Sequence, residues 1–218
     1  MATASDILAL ATSYIGVKES PAGSNNVIFN THYYGGPVNN KSLDWCVAFI
    51  WDIFRMADAS DLFYGGGKTA SCTTLNSYHK ARGQAVSVDE LEPGDIVFFD
   101  FSGKKRITQH VGVLESADGA FVTTIDGNTG TTNEANGGAV MRRRREKKYV
   151  SAAYRPDYES EDNMVYYKTL NDVPNWYKPS VKKAMDKGAL VGDGTGAINV
   201  SEDMCRILTV LDRLGNLD

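Results

Sequence analysis

Residues 44–57 have the sequence DWCVAFIWDIFRMA, which is apolar on nearly every side of a helix. A helix with this pattern is expected to be buried at the centre of a domain, and Asp44 is placed to cap its first turn. Cys46 lies in that turn. The stretch therefore predicts a buried central helix that begins with a cysteine.

Helical patterns precede this stretch and strand patterns follow it. Ser5 is placed to cap a helix that ends at Gly16, and a shorter helix is predicted from about Thr73 to Arg82. Downstream, the runs with the length and apolar content of strands are 96–99, 110–116, 120–126, 139–143 and 149–155. Helices first and antiparallel strands second predict an α+β domain.

The composition limits the classes of function. The chain has 218 residues and a formal net charge of -4, which argues against a dedicated nucleic-acid binder, since these are usually basic. It contains no apolar run of about 18 residues, so no membrane span is predicted. The cysteines are Cys46, Cys72 and Cys205, too few and too widely spaced for a disulfide framework or a paired metal site. We therefore expect no metal or cofactor, and we interpret Cys72 and Cys205 as core residues.

The N-terminus does not have the pattern of a secretory signal. The first residues contain no Lys or Arg and reach Asp6 before any apolar run. Together with the low cysteine content, this pattern predicts synthesis in a reducing cytoplasm.

An acidic, polar segment at residues 157–165 divides the chain into two predicted parts. Residues 1–156 form the α+β domain, and residues 166–218 form a small helical module. In the module, one helix is predicted from Pro179 to Lys187 and a second after Ser201.

The chain has only three histidines, so a Cys–His mechanism has few candidate bases. A free thiol is only a few per cent thiolate near neutral pH, and a helix N-terminus contributes ~1 kcal/mol, less than one pKa unit. A catalytic Cys46 therefore needs a histidine nearby. His110 is the best candidate because of the hairpin that follows it. His32 and His79 are predicted to be surface or loop residues, and His32 is also a candidate to line the cleft.

The hairpin predicted after His110 can supply both the base and its orienter. A two-residue turn would place His110 opposite Gly127, whereas a three-residue turn at residues 117–119 would place it opposite Asp126. The second register gives one strand face a mostly apolar set of side chains, and we prefer it. It leaves Asp126 or Asn128 to orient the His110 ring, the role of the third member of a triad.

Four motifs occur in a fixed order along the chain. They are DWCVAF (44–49), LEPGDIVFF (91–99), HVGV (110–113) and IDGN (125–128). Together they resemble the CHAP family (cysteine, histidine-dependent amidohydrolase/peptidase) over roughly Ser5 to Pro156. The resemblance implies a papain-like α+β fold and cleavage of peptidoglycan by amidase or endopeptidase chemistry. The similarity is greatest to phage endolysins, which implies a bacteriolytic protein that waits in the host cytoplasm and acts on the wall after release.

The resemblance also assigns residues to roles. Cys46 becomes the nucleophile and His110 the general base. Asp126 stands where the family often has Glu, and Asn128 matches the Asn that follows, so either is expected to orient the imidazole. Some family members bind calcium through closely spaced Asp residues before the cysteine, but this chain has none there before Asp44, and no calcium site is expected.

Other side chains are candidate contacts with the cell wall. Tyr34 and Trp45 are candidate substrate-binding residues, since aromatic rings commonly pack against sugars and peptides. The basic run at residues 142–145 predicts either a solvated edge strand or attraction to anionic wall polymers.

The module at residues 166–218 resembles a single repeat of the S-layer-homology type, a class of wall-attachment unit. The alternative is a packing or dimerisation appendage, because so small a unit has a thin core. Its second helix has an apolar side formed by Met204, Ile207, Leu208, Leu211 and Leu214.

Two other functions stay open from the sequence. An NlpC-type wall peptidase shares the Cys–His layout and differs mainly in substrate. A wall-binding or structural phage protein would have an inert Cys46. Alkylation of Cys46 at mildly acidic pH separates an enzyme from an inert protein, because only a thiolate reacts.

Overall fold

Helices come first and an antiparallel sheet second in the N-terminal part of the chain, which confirms the predicted α+β class. The computed structural model describes residues 2–160, 165–192, 194 and 196–217. The chain divides into two units, Met1–Glu159 and Ser160–Asp218.

The described part of the first unit has five α-helices, three of them near predicted positions. They are α1 (Ala4–Ser13), α2 (Ile28–Tyr34), α3 (Cys46–Met56), α4 (Ser60–Tyr64) and α5 (Cys72–Lys80). The other two, α2 and α4, were not predicted. Thr3, not Ser5, caps α1, because its side chain accepts from Asp6 N while the Asp6 carboxylate accepts from Thr3 N. The N-cap of α3 is Trp45 and makes no side-chain capping bond. The prediction that Asp44 caps this helix is therefore wrong, since Asp44 lies one residue before the cap.

The sheet of the first unit has strand order β4-β3-β2-β1-β5, and its neighbouring strands are antiparallel. The strands are β1 (Ile96–Phe99), β2 (His110–Asp118), β3 (Phe121–Thr129), β4 (Ala139–Glu146) and β5 (Val150–Tyr154). Along the start of β4, Val140 N donates to Val17 O and Glu19 N donates to Gly138 O. The chain before α2 therefore borders the first part of β4.

Helix α3 packs on one face of this sheet. Its Phe49 and Ile50 are fully buried in one cluster with Val111, Val113 and Ile125 of the central strands. A separate, smaller apolar cluster covers the other face; it consists of Val97, Phe99, Leu114, Val122, Val150 and Ala153. Because α3 is buried on nearly all sides, as its sequence predicts, its N-terminus is held firmly against the sheet.

The second unit contains two helices and a two-stranded ladder within its described residues. They are β6 (Tyr166–Tyr167), α6 (Lys178–Asp186), β7 (Val200–Ser201) and α7 (Glu202–Arg213). Ser201 caps α7 as predicted, since its side chain accepts from Met204 N. Leu208 of α7 is buried, but Ile207 and Leu214 are exposed. The apolar side predicted for this helix is therefore only partly used by the core of its own unit.

The first unit extends beyond the predicted boundary at Pro156. Tyr158 Oη donates to Gly94 O at 2.8 Å, and Glu159 N donates to Ala2 O. Part of the segment predicted as a linker, residues 157–159, is thus packed on the first unit, whereas residues 161–164 lie outside the described residues. No helix among the described residues is long and apolar enough to cross a membrane.

Candidate active site

Cys46 is the first residue of α3 and is buried, with 5% of its surface exposed. The early N–H groups of a helix have no intrahelical acceptor, so Cys46 N–H is available to a ligand. The partial positive charge at a helix N-terminus also favours an anion there. The sequence correctly placed this thiol at the start of the buried helix.

A close approach between α3 and β3 positions the start of the helix. A Cβ added at Gly127 would lie 2.5 Å from Phe49 Cβ and 2.9 Å from Trp45 Cζ3. No side chain fits at Gly127 without moving α3 away from the sheet. The glycine between Asp126 and Asn128 therefore lets the helix that carries Cys46 rest directly on the strand that carries Asp126.

His110 and Asp126 form a fully buried pair. Nε2 of His110 lies 2.9 Å from Oδ2 of Asp126, and both side chains are completely inaccessible. Nδ1 of His110 is buried and has no hydrogen-bond partner among the described residues. Because Asp126 occupies Nε2, Nδ1 is the nitrogen that can accept the Cys46 proton.

The hairpin that brings these two residues together does not have the predicted register. Val113 pairs with Ile125 and Leu114 with Thr124, a bulge follows at Glu115, and Asp118 pairs with Phe121. The turn therefore contains two residues, Gly119 and Ala120, and the prediction of a three-residue turn at 117–119 is wrong. The alternative two-residue turn at Asp118-Gly119, which would have placed His110 opposite Gly127, is also wrong. The extra residue of the bulge was not visible in the sequence pattern.

Gly112, not His110, lies opposite Asp126 in the observed register, since Val113 pairs with Ile125. The pairing is displaced by two residues from the prediction, and a displacement of two keeps His110 and Asp126 on the same face. A Cβ at Gly112 would collide with Oδ1 and Cγ of Asp126. The missing side chain at Gly112 leaves the space across which the carboxylate reaches diagonally to His110.

Arg145 contacts the same carboxylate oxygen of Asp126 as His110 does. Its Nη1 lies 2.7 Å from Asp126 Oδ2, and Nε lies 2.8 Å from Glu134 Oε2. The guanidinium lies 4.7 Å from the centroid of the Phe99 ring, and only 6% of the residue is exposed. Arg145 is thus a buried positioning residue that the sequence did not identify.

The basic run that contains Arg145 is not a uniform solvated patch. It lies on β4, which is an edge strand as predicted. Arg142 pairs with Glu115 at 2.7 Å, and Arg143 pairs with Glu134. Neither a solvated edge strand nor attraction to wall polymers describes Arg145, because it is buried and contacts Asp126. Alternate strand residues face opposite sides, and Arg143 and Arg145 share the face of Asp126.

The electrostatics of the site favour an ion pair between Cys46 and His110. A hydrogen bond from the Cys72 thiol and the nearby His110 outweigh burial and lower the pKa of Cys46 to about 5. Burial by itself would lower the pKa of His110, but Asp126 and the Cys46 thiolate outweigh it and raise the pKa to about 9. Burial opposes ionisation of Asp126, yet Arg145 and His110 together lower its pKa. The charges therefore alternate in sign from Cys46 to Arg145.

Cys72 is a second group that the sequence interpretation missed. It is the first residue of α5, and its Sγ lies 3.9 Å from Cys46 Sγ. The hydrogen bond to Cys46 and burial raise the pKa of Cys72 well above that of a free thiol. Cys72 therefore stays protonated and donates its S–H to the Cys46 thiolate. Its contact depends on the packing of two helices that are 26 residues apart in the chain.

The remaining candidate residues have different surroundings. Asn128 Oδ1 accepts from Gly138 N at 3.2 Å, and its Nδ2 has no hydrogen-bond partner among the described residues. Of the two candidate orienters, Asp126 is therefore the one hydrogen-bonded to His110. Trp45 is completely buried, stacks on Phe29 and donates from Nε1 to Glu19. The predicted role of Trp45 in substrate binding is inconsistent with this burial. Tyr34 is exposed, and its role in substrate binding stays a prediction.

The other two histidines are not free surface residues. His79 lies in α5 and is 1% exposed; its Nε2 lies 2.6 Å from Phe63 O, and its ring stacks on Tyr154. His32 lies in α2 and contacts the buried Asp52 at 2.7 Å. The prediction of surface or loop positions is wrong for His79, because Tyr154 and the α4 backbone enclose it. Neither residue contacts Cys46.

We found no cluster of three or more His, Cys, Asp or Glu side chains suited to a metal ion among the described residues. Around Cys46, His110 Nε2 contacts Asp126 Oδ2 and Cys46 Sγ contacts Cys72 Sγ, so these groups are partners for one another. The groups of the arrangement are a Cys46 thiolate, a His110 imidazolium and the Asp126 carboxylate that contacts it. Such a set is suited to nucleophilic attack with proton transfer.

Comparison with known proteins gives one family model that matches part of the chain. Residues 38–128 match the family model of the CHAP domain, and the matched range contains Cys46, His110, Asp126 and Asn128. A search of curated proteins gave no significant match. Among solved structures, the chain is similar to one described as the crystal structure of Ly7917, with 18% identity and a TM-score of 0.41. That likeness covers 71% of this chain and 62% of the other, so the chain spans less than two thirds of that structure.

Proposed function

We propose that this protein is a cysteine-dependent peptidoglycan hydrolase that cleaves an amide or peptide bond of the bacterial cell wall. The observation that carries the proposal is the buried His110, which is hydrogen-bonded to Asp126 and lies beside a Cys46 thiol with a pKa of about 5. The CHAP match over residues 38–128 supports peptidoglycan as the substrate class. Cleavage at N-acetylmuramoyl-L-alanine (amidase) and cleavage within the stem or cross-bridge peptide (endopeptidase) are both compatible with this chemistry.

The proposed reaction begins with the ion pair already formed. The Cys46 thiolate attacks the carbonyl carbon, and the negative charge that develops on the oxygen is stabilised by the Cys46 N–H at the start of α3. His110 donates its proton to the departing amine, which leaves a thioester on Cys46. A water molecule then attacks the thioester while His110 takes its proton, and the carboxylic acid product leaves. Asp126 holds the imidazole in the orientation needed for both transfers.

The buried environment supports this assignment over an inert role for Cys46. A structural cysteine in an apolar core has a raised pKa and no charged neighbours, whereas Cys46 has His110 beside it and a thiol donor in Cys72. Enclosing His110, Asp126 and Arg145 in the protein costs free energy unless their charges are paired. A wall-binding protein that does no chemistry has no use for this arrangement. An NlpC-type peptidase would use the same groups. The match to the CHAP family model favours a CHAP-type hydrolase over it.

We also propose a division of labour between the two units. The second unit, Ser160–Asp218, holds the enzyme to the wall, and the complete protein acts as an endolysin that is made in the host cytoplasm and degrades the wall from within. The resemblance to phage lysins and to wall-attachment repeats supports this part of the proposal. The exposed apolar side chains of α7, Met204, Ile207, Val210 and Leu214, offer a surface for such contacts or for a second copy of the chain.

The direct test is incubation of purified peptidoglycan with the full-length protein, followed by mass spectrometry of the released fragments. Wild type should release fragments, and each should carry a new amino terminus or a new carboxyl group, which for an amidase is the free lactyl carboxylate of the muramic acid. Cys46→Ala should release none while unfolding at nearly the wild-type temperature, because Ala fits the first turn of a helix. Cys205→Ala, in the core of the other unit, is the matched control and should keep its activity. Wall cleavage by Cys46→Ala would refute the proposed mechanism.

A further inference from the structure

The contact between Cys46 and Cys72 has a chemical consequence apart from the cleavage reaction. The two sulfur atoms lie 3.9 Å apart, and both residues are buried, with 5% and 8% of their surfaces exposed. Both are free thiols, and each is the first residue of its helix. The third cysteine, Cys205, lies in the core of the second unit. Two thiols in contact at helix beginnings can therefore react with each other.

The two thiols are not equivalent. Cys46 has a lowered pKa and is a thiolate at neutral pH, whereas the pKa of Cys72 is raised and it stays protonated. A thiolate is the form that attacks a peroxide, and a neighbouring thiol can then condense with the resulting sulfenic acid. The pair thus combines one reactive and one resolving thiol.

We propose that Cys46 and Cys72 form a reversible disulfide when the protein meets a hydroperoxide, and that this disulfide switches off the nucleophile. In the first step Cys46 S⁻ attacks the peroxide: an S–O bond forms, the O–O bond breaks, and the released oxygen leaves as water or alcohol after taking a proton from His110. In the second step Cys72 attacks the sulfenic sulfur: the S–S bond forms, the S–O bond breaks, and the thiol proton leaves with the hydroxyl as water. Two thiols lose two electrons in total, and the peroxide gains them.

The geometry allows the bond after a small local movement. A disulfide has an S–S distance of about 2.05 Å, so the sulfurs must approach by roughly 1.9 Å. Because each cysteine opens its helix, no preceding helical turn restricts its χ1 rotation. The low exposure of both residues favours a small oxidant such as hydrogen peroxide over a bulky one such as oxidised glutathione. The disulfide itself does not depend on the proposed function, but the loss of wall cleavage does.

The test uses the full-length protein, reduced, freed of reductant and treated with stoichiometric hydrogen peroxide. Intact mass should fall by about 2 Da as two hydrogens are lost, one free thiol should remain, and peptide mapping should join Cys46 to Cys72. Wall cleavage should fall in parallel with disulfide formation and return with dithiothreitol. Oxidised glutathione at the same concentration should act more slowly.

The matched variants are Cys72→Ala and Cys205→Ala. Cys205→Ala should behave as wild type in mass and in recovery. In Cys72→Ala no resolving thiol is present, so two or more equivalents of peroxide should add two oxygens to Cys46, about 32 Da at the sulfinic stage, and dithiothreitol should no longer restore cleavage. Wild type given the same amount of peroxide should form the disulfide and recover. The readout is the recovered fraction of each variant's own initial activity.

Three results would overturn the inference: oxygen addition to Cys46 in wild type without a disulfide, a disulfide that joins Cys46 to Cys205 or to a second chain, or full recovery in Cys72→Ala. The two proposals fail differently. A Cys46–Cys72 disulfide in a protein that never cleaves wall would refute the proposed function and leave the redox pair standing. Wall cleavage that survives peroxide with no disulfide would refute the redox pair alone.

Discussion

The two units of the chain bury different kinds of side chain. In the first unit, His110 and Asp126 are fully enclosed and Arg145 nearly so. In the second unit, the buried polar side chains among the described residues are Ser180 and Thr209, and apolar residues of α7 are exposed. Burying charge costs free energy unless it is paired, and exposing apolar surface favours association. The difference is consistent with the catalytic role proposed for the first unit and the binding role proposed for the second.

The largest expected effect comes from removing one of the buried charges of the first unit. Arg145→Met leaves the Asp126 carboxylate buried without its counter-charge, so we expect a loss of stability of about 3–5 kcal/mol and a fall in kcat/KM of about 10²-fold. Asp126 should then take up a proton, His110 should lose its partner, and the pH at which Cys46 becomes alkylated should rise. Unfolding by denaturant, cleavage rates and iodoacetamide alkylation measured against pH check these effects.

The matched control is Arg142→Met on the same strand. Arg142 is half exposed and pairs with Glu115 near the surface, so its loss should change stability by less than about 0.5 kcal/mol. Arg145→Lys should recover part of the activity, because one ammonium can still reach Asp126. Equal effects of the Arg142 and Arg145 substitutions would show that burial of the charge does not matter.

The second prediction concerns the space that the carboxylate occupies. Gly112→Ala places a methyl group against Asp126 Oδ1 and Cγ, which should push the carboxylate from His110 and lower kcat/KM by about 10-fold or more. Gly119→Ala is the control. Gly119 has φ +51° in the open turn, with nothing close to its Cβ position, so Ala there should cost about 1 kcal/mol and leave kcat/KM unchanged. A Gly112→Ala enzyme with wild-type kcat/KM would contradict the diagonal contact.

The third prediction is the pH dependence. The Cys46–His110 ion pair is complete above the pKa of Cys46, about 5, and below that of His110, about 9. Wall cleavage should therefore be bell-shaped, with an acid limb where the thiolate is protonated and an alkaline limb where the imidazolium loses its proton. One pH unit below the pKa of Cys46, about a tenth of the thiol is still ionised. An alkylation rate for Cys46 that rises only above pH 8 would mean that no ion pair exists.

The smallest expected effect is that of removing the second unit. A chain ending at Glu159 keeps Cys46, His110 and Asp126, so it should cleave soluble peptidoglycan fragments at nearly the full-length rate. Lysis of intact cells should be several-fold slower, because tethering raises the local enzyme concentration. The measurement is the ratio of the two rates for the full-length and shortened proteins. A ratio that does not change, or an isolated unit that fails to sediment with purified walls, rules out the targeting role.

The predicted positions of the candidate site residues agree with the structure where local pattern alone decides. The apolar run after Cys46 is buried in any compact arrangement, so the helix and the cysteine at its start could be predicted. In the hairpin, the alternation of side chains fixed the common face of His110 and Asp126. It did not fix the register, because a shift of two residues preserves every face and the bulge at Glu115 leaves no mark in the alternation.

The α+β order of elements and the burial of α3 follow from the sequence pattern alone, and so do the proposals of Cys46 as nucleophile and His110 as base. The partners that surround these two residues follow only from the tertiary structure. Arg145 is one of four consecutive arginines, and its role depends on which of them faces Asp126. The role of Cys72 depends on the contact between the N-termini of two helices. The role of Gly112 depends on which residue lies opposite it on the neighbouring strand. These are contacts between distant parts of the chain, and local periodicity specifies burial and face but not which side chain lies across the gap.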